Sequence, residues 1–140
     1  MNNVLITFLL FALTHSNSIF DTNLKQQVGS ACSSDNKFII SSFDVSDWPA
    51  LGQSSLITYM GIAQEPITIG IITYSIEDQT QAWYNEYQAI DQNYTQNESA
   101  TFNNIMQWPM FSGGYLFQMQ IRDQINPQYV HACWAFTFVL

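Results

Sequence analysis

The chain has 140 residues and a formal net charge of -8 at pH 7, with 11 acidic residues against 3 basic ones. This length suits one domain, and the negative charge disfavours binding to nucleic acid or to anionic lipid headgroups. Aromatic residues make up 15% of the chain, as 10 Phe, 7 Tyr and 4 Trp. The only two cysteines, Cys32 and Cys133, lie almost as far apart as the chain allows.

The first residues have the pattern of a secretory signal peptide. Val4–Leu13 is apolar apart from Thr7, which suits a signal core and is too short to span a bilayer. Ser16 and Ser18 have the small-residue spacing that signal peptidase prefers. We therefore expect residues 1–18 to be a signal peptide and residues 19–140 to be a domain that is secreted or lies in the lumen of the secretory or endolysosomal pathway. A buried N-terminal strand or helix is the alternative.

The two cysteines are expected to pair, because the secretory pathway is oxidising. A bond between Cys32 and Cys133 would join the start of the domain to its last strand-like run. Two unpaired buried thiols, or pairing between two molecules, are the alternatives that the residues leave open.

The mature chain reads as short strands separated by Gly and Pro turns. Turn sequences occur at Trp48–Gly52 and Trp108–Gly114. Gly70 lies within the longest β-branched run and is a candidate for a β-bulge. The strands are predicted at Lys37–Val45, Leu56–Met60, Ile67–Ile76, Thr101–Met106, Tyr115–Ile121 and Val130–Leu140. This spacing predicts an all-β sandwich or barrel, and no later run is long enough for a transmembrane helix.

Two segments fit this pattern poorly. The aromatic residues of Asp78–Ala89 have helical spacing, so this segment is expected to be a helical turn or an irregular loop. Ile90–Thr101 is polar and holds two N-glycosylation sequons, at Asn93 and Asn97, which favour an exposed loop.

The mature chain offers few groups for catalysis or for binding a metal. His131 is its one histidine and no G-x-S-x-G motif occurs, so a structural or exposed histidine is favoured over a catalytic one. One histidine and two distant cysteines do not make a zinc site, and phosphate-binding glycine loops and EF-hand loops are absent. We therefore predict no catalytic residue, no metal and no cofactor. A hydrolase on a β scaffold is the least favoured alternative.

Several short motifs follow one another in a defined order. They are Cys32, the strand Phe38–Val45, the Gly-, Pro- and β-rich segment Gly61–Tyr74, the Pro and Gly-Tyr turn of Trp108–Phe117, Asp123, and the final His131–Phe136 with Cys133. This order resembles the ML (lipid-recognition) family over nearly all of residues 30–140.

The resemblance implies an immunoglobulin-like β-sandwich of two antiparallel sheets, with an apolar cavity between them and a disulfide between Cys32 and Cys133. Members of the family carry sterols, phospholipids or glycolipids, so it also implies a lipid-binding or lipid-transfer protein. Many members have one or two further disulfides at the cavity mouth, which this chain lacks. We expect a monomer with transient membrane or receptor contacts.

The ligand-binding residues are predicted from strand alternation and from the turns. Inward positions expected to line the cavity are Phe38, Ile40, Ile69, Ile71, Phe117, Met119, Trp134 and Phe136. Turn or loop positions expected to form its rim are Trp48, Trp83, Trp108 and Phe111. A one-residue error in register would exchange the two faces of a strand. A structural or adhesive sandwich with an ordinary packed aromatic core is the alternative to a lipid carrier.

Overall fold

A computed structural model describes residues 28–34 and 36–140. The predicted signal peptide lies outside the described residues. The strands, in chain order, are β1 (Ser30–Ala31), β2 (Phe38–Ser46), β3 (Ser54–Ala63), β4 (Ile67–Glu77), β5 (Trp83–Tyr94), β6 (Ser99–Gln107), β7 (Gly114–Asp123) and β8 (Val130–Val139). Within these ranges, no helix has the length and hydropathy needed to cross a membrane.

The strands form two sheets in which all neighbours are antiparallel. The five-stranded sheet has the order β1-β8-β7-β4-β5, and the three-stranded sheet has the order β2-β3-β6. Apolar side chains on the facing sides of both sheets form the core. The prediction of an all-β sandwich of two antiparallel sheets is confirmed, and the six predicted strands lie close to their predicted bounds.

The disulfide between Cys32 and Cys133 is present, with the two Cα atoms 5.0 Å apart. The backbone N–H of Cys32 donates to the carbonyl of Cys133 at 3.0 Å. The bond therefore fastens β1 to β8, as the first and last elements of the fold, and the predicted pairing is confirmed.

The prediction of a helical turn or loop before residue 90 is wrong, because β5 begins at Trp83. β5 is the outer strand of its sheet, and most of its side chains are exposed. A largely exposed edge strand needs no alternation of apolar and polar residues, and the sequence of β5 therefore gave no strand signal. The sequon at Asn93 lies on β5 and the one at Asn97 in the following turn, and both side chains are exposed. Glycosylation at either site stays a prediction.

A β-bulge in β4 confirms the role expected for Gly70. The register of β4 against both neighbouring strands shifts between Ile69 and Ile71. A Cβ atom at Gly70 would lie 2.7 Å from the Cα atom of Gln124, so only glycine fits. The extra residue leaves Ile69 inside the sandwich and puts Ile71 on the outer face, beside Thr73. The prediction that Ile71 faces a cavity is therefore wrong.

Candidate functional site

Side chains fill the space between the sheets, where an open apolar cavity was expected. Six of the predicted cavity residues are 0 to 7% exposed, namely Phe38, Ile69, Phe117, Met119, Trp134 and Phe136. A side chain that lines an empty cavity wider than a water molecule keeps accessible surface. In the part of the chain that the structure describes, these residues therefore pack closely against their neighbours. Ile40 is half-buried and packs at the margin of the same core.

The ring of Phe43 lies at the centre of this packing. Its centroid is 5.4 Å from that of Tyr59 in its own sheet, and 6.1 and 5.7 Å from those of Phe117 and Trp134 in the facing sheet. The ring of Phe117 is in turn 4.8 Å from that of Phe136. These are the distances of aromatic rings in contact, so the two sheets are joined by rings across their middle.

A chain of hydrogen bonds enters the core from the side where β5 faces β6. The carbonyl Oε1 of Gln88 accepts from the Tyr74 hydroxyl at 2.7 Å, and the Tyr74 and Tyr59 hydroxyls are 2.9 Å apart. Since a carbonyl only accepts, Tyr74 donates to Gln88 and Tyr59 donates to Tyr74. Burial raises the pKa of Tyr74 to about 12 and the pKa of Tyr59 well above 10.0. Nε2 of Gln88 donates to the Asn103 carbonyl at 3.1 Å, which links the two sheets.

Two loops at one end of the sandwich are bonded to each other. The N–H of Gly52 in the β2–β3 loop donates to the carbonyl of Pro109 in the β6–β7 loop at 2.9 Å, and the Trp108 N–H donates to the Gln53 carbonyl at 2.9 Å. Four apolar side chains of these loops are 48 to 80% exposed: Trp48, Leu51, Met110 and Phe111. We call these four residues the apolar loop patch. Trp48 and Phe111 lie in these loops, and their part in ligand binding stays a prediction.

Trp48 connects the apolar loop patch to the interior. Its ring centroid is 5.7 Å from that of Phe136, which contacts Phe117 in the core. A groove of about 650 Å³ runs beside Trp48 and Phe136, along the edge of β8. β1 pairs with β8 as far as Ala135, and the described residues Val28 and Gly29, which precede β1, line the groove beside this edge. Aromatic surface is therefore continuous from solvent to the centre of the sandwich.

The other two predicted rim residues lie elsewhere. Trp83 starts β5 and lies on the outer face of the five-stranded sheet. Trp108 is only 1% exposed, because its ring packs on Phe138 at 5.1 Å and its Nε1–H donates to the Ser55 hydroxyl at 2.6 Å. Both predictions of a rim position are wrong, since the turn chemistry next to these residues does not reveal which way each indole points.

His131 is a buried histidine that joins three strands. Its Nε2 is 3.0 Å from both the Asp123 carboxylate of β7 and the Thr68 carbonyl of β4. Both groups accept, so Nε2 carries the proton. The buried Nδ1 has no hydrogen-bond partner among the residues that the structure describes. That same part of the chain contains no cluster of three or more His, Cys, Asp or Glu side chains that would hold a metal ion.

Asp123 organises the turn between β7 and β8. Its carboxylate accepts from the N–H groups of Asn126 at 2.7 Å and Ile125 at 2.9 Å, and from the Thr68 hydroxyl at 2.9 Å. The bond from Asn126 is the main cause that holds the pKa of this carboxyl below 3.8, with smaller contributions from Thr68, Ile125 and His131.

We expect Asp123 to make the folded state sensitive to acid. Because its folded pKa lies below the unfolded value of 3.8, its contribution is present above that value and is lost as the pH falls through the folded pKa. In Asp123→Asn one carboxylate oxygen becomes an NH2 group, which cannot accept, so the bonds to that oxygen and the negative charge are lost and the free energy of unfolding at neutral pH falls by roughly 1–3 kcal/mol. Urea unfolding at several pH values should show a smaller further loss in acid for the variant than for the wild type. Equal acid dependence of the two proteins would contradict this role.

Comparison with known proteins identifies a shared fold. No protein-family model matches the chain, and no curated protein matches it. Among solved structures, the chain is similar to a Niemann-Pick type C2 protein from Japanese carpenter ant, with a TM-score of 0.59. The match covers 80% of this chain and 98% of that one, at 6% sequence identity. At this identity the similarity concerns the fold alone.

Proposed function

We propose that this protein is a secreted or lumenal lipid-binding protein, not an enzyme, and that a lipid tail enters it beside the apolar loop patch. Its sequence motifs resemble the ML family, and its fold is similar to that of a Niemann-Pick type C2 protein, which is an ML-domain protein. The observation that carries the proposal is the continuous aromatic path from exposed Trp48 through Phe136 to Phe117.

Binding of a tail requires some displacement of side chains. Apolar burial favours binding by roughly 25 cal/mol per Å² removed from water, while each broken ring pair costs about 0.5–1.5 kcal/mol. The groove of about 650 Å³ beside Trp48 offers apolar surface without breaking the central contacts of Phe43. The tail therefore occupies this groove first, and deeper insertion uses the flexible side chain of Met119 and its neighbours.

The headgroup class follows from charge. Residues 47–53 and 108–113, which form the two loops, contain no Lys or Arg, and the chain carries a net charge of -8. Anionic headgroups would be repelled, so neutral or zwitterionic lipids, including sterols, are the expected ligands.

The proposal is tested by lipid transfer. Protein purified from a secretory host should release a bound lipid on extraction, and it should take a fluorescent phosphatidylcholine from zwitterionic vesicles. We expect Trp48→Ala to slow this transfer by about tenfold, because the ring that lines the groove is lost. Ile105→Ala is the matched control, because Ile105 is exposed on β6 and outside the apolar loop patch. Equal rates for Trp48→Ala and wild type would refute the entry site.

A structural or adhesive extracellular sandwich is the second candidate. The observation that favours it is the nearly complete burial of Phe43 and of the rings around it among the described residues. If no lipid can be extracted and the folded wild-type protein transfers none, the structural or adhesive role is favoured over lipid binding.

A further inference from the structure

The outer face of the five-stranded sheet, opposite the core, carries a groove of about 490 Å³. Two aromatic side chains of β5 stand in it, Trp83 at 44% exposure and Tyr87 at 66%. They are four residues apart on one strand, so they lie on the same face with their Cα atoms roughly 13 Å apart. The groove crosses β5, β4 and β7, and none of its lining residues lines the groove beside Trp48.

The floor of this groove is polar. Cross-strand pairing places Ser75 between Asn85 and Gln118, and Thr73 between Tyr87 and Gln120. Hydroxyl and carboxamide side chains each offer both donors and acceptors, and all of them are uncharged. The floor can therefore exchange hydrogen bonds with a ligand that is rich in hydroxyl groups.

Internal hydrogen bonds hold these side chains in place. The Ser75 hydroxyl donates to Oδ1 of Asn85 at 2.6 Å. Arg122 donates from Nε to the Thr73 hydroxyl at 3.2 Å, from Nη1 to the Pro127 carbonyl at 3.0 Å, and from Nη2 to Gln120. These side chains are already ordered, so they lose little conformational entropy when a ligand binds. The entropic cost of binding is therefore smaller than on a polar surface with mobile side chains.

The charges around the groove narrow the class of ligand. Its lining contains no carboxylate and one cation, Arg122, three of whose donors are already used within the protein. The net charge of -8 opposes a polyanion such as a sulfated glycan. An extended peptide would use the free backbone edge of β5 more readily than a floor of side chains. A neutral sugar matches both the aromatic side chains and the polar floor of the groove. Its apolar C–H face stacks on an aromatic ring, while its hydroxyls bond to amides.

We propose that this outer groove is a binding site for a neutral oligosaccharide. Trp83 and Tyr87 are the stacking platforms, and Asn85, Gln118 and Gln120 contact the sugar hydroxyls. Arg122 positions Gln120 and Thr73. The site is independent of the proposed lipid binding, since it shares no side chain with the apolar loop patch.

The test uses the full mature protein, made in a bacterial periplasm so that the disulfide forms and no N-glycan is attached. It is titrated, with backbone amide NMR as readout, with neutral hexasaccharides of glucose, mannose and N-acetylglucosamine. We expect at least one of them to shift the amide signals of β4, β5 and β7, with a dissociation constant of about 10 mM or tighter.

Trp83→Ala and Tyr87→Ala should each weaken that binding by about tenfold or more, because each removes one stacking platform. Tyr84→Ala is the matched control, since Tyr84 is an exposed tyrosine on the opposite face of the same strand and should leave the affinity unchanged. Thermal unfolding confirms that each variant is folded. The proposal is overturned if no hexasaccharide binds at about 10 mM, if both platform variants bind as the wild type does, or if a heparin hexasaccharide binds more tightly than every neutral one.

Discussion

Replacing Cys32 and Cys133 together with alanine is expected to lower the free energy of unfolding by roughly 4–5 kcal/mol. The bond closes a loop with a sequence separation of 101, so its loss releases a large amount of chain entropy in the unfolded state. It also holds β1, which is only two residues long and, among the described strands, pairs with β8 alone. Typical domains are stable by only about 5–15 kcal/mol, so the variant should be close to unfolding at 37 °C.

Urea unfolding followed by tryptophan fluorescence measures this loss. The same measurement is made on wild-type protein treated with a thiol reductant, because the reductant breaks the disulfide and leaves both cysteine side chains in place. The free energy of unfolding should be lowered by a similar amount in the double variant and in the reduced wild type. A loss below about 1 kcal/mol in either of them would show that the rest of the sandwich holds the two ends together without sulfur.

The second large effect is expected at the centre of the core. Phe43→Ala removes a ring that is 2% exposed and contacts rings of both sheets, including Tyr59, Phe117 and Trp134. Truncation of a buried phenylalanine costs about 3–5 kcal/mol, because it removes buried apolar surface and leaves a cavity that the neighbours fill only in part. Thermal or urea unfolding of the variant measures this loss.

Phe111→Ala is the matched control for Phe43→Ala. The substitution is chemically the same, but Phe111 is 80% exposed in the apolar loop patch and has little packing to lose. Its stability should stay within about 0.5 kcal/mol of the wild type. Comparable losses at the two positions would mean that the sheets are not joined through Phe43.

Local patterns in the sequence were sufficient for most of the strands. Tyr115–Ile121 alternates because one face of β7 is buried in the core, and Val130–Leu140 is an apolar run because β8 is buried over much of its length. β5 was missed because it is an edge strand whose inward face carries polar side chains such as Gln88, which bonds to Tyr74, so no such alternation results. The disulfide was predictable because the chain has only two cysteines.

The direction in which individual side chains point was harder to predict from the sequence than the strands were. The bulge at Gly70 moves Ile71 to the outer face, and a single extra residue is enough to do this because side chains alternate with a period of two. Trp83 and Trp108 both stand near turn sequences, yet one is exposed on a sheet and the other donates to Ser55 inside the core.

The all-β class, most strand positions and the covalent link between the ends of the domain were predictable from the amino-acid sequence, because each depends on neighbouring residues or on one pair of cysteines. Whether the sheets enclose a space was not predictable from local patterns. That outcome depends on how the rings of Phe43, Phe117 and Trp134, from strands far apart in the chain, fit together between the sheets. The tertiary structure also decided that Trp83 and Tyr87 share a groove with residues of β4 and β7, since strand order brings those side chains side by side.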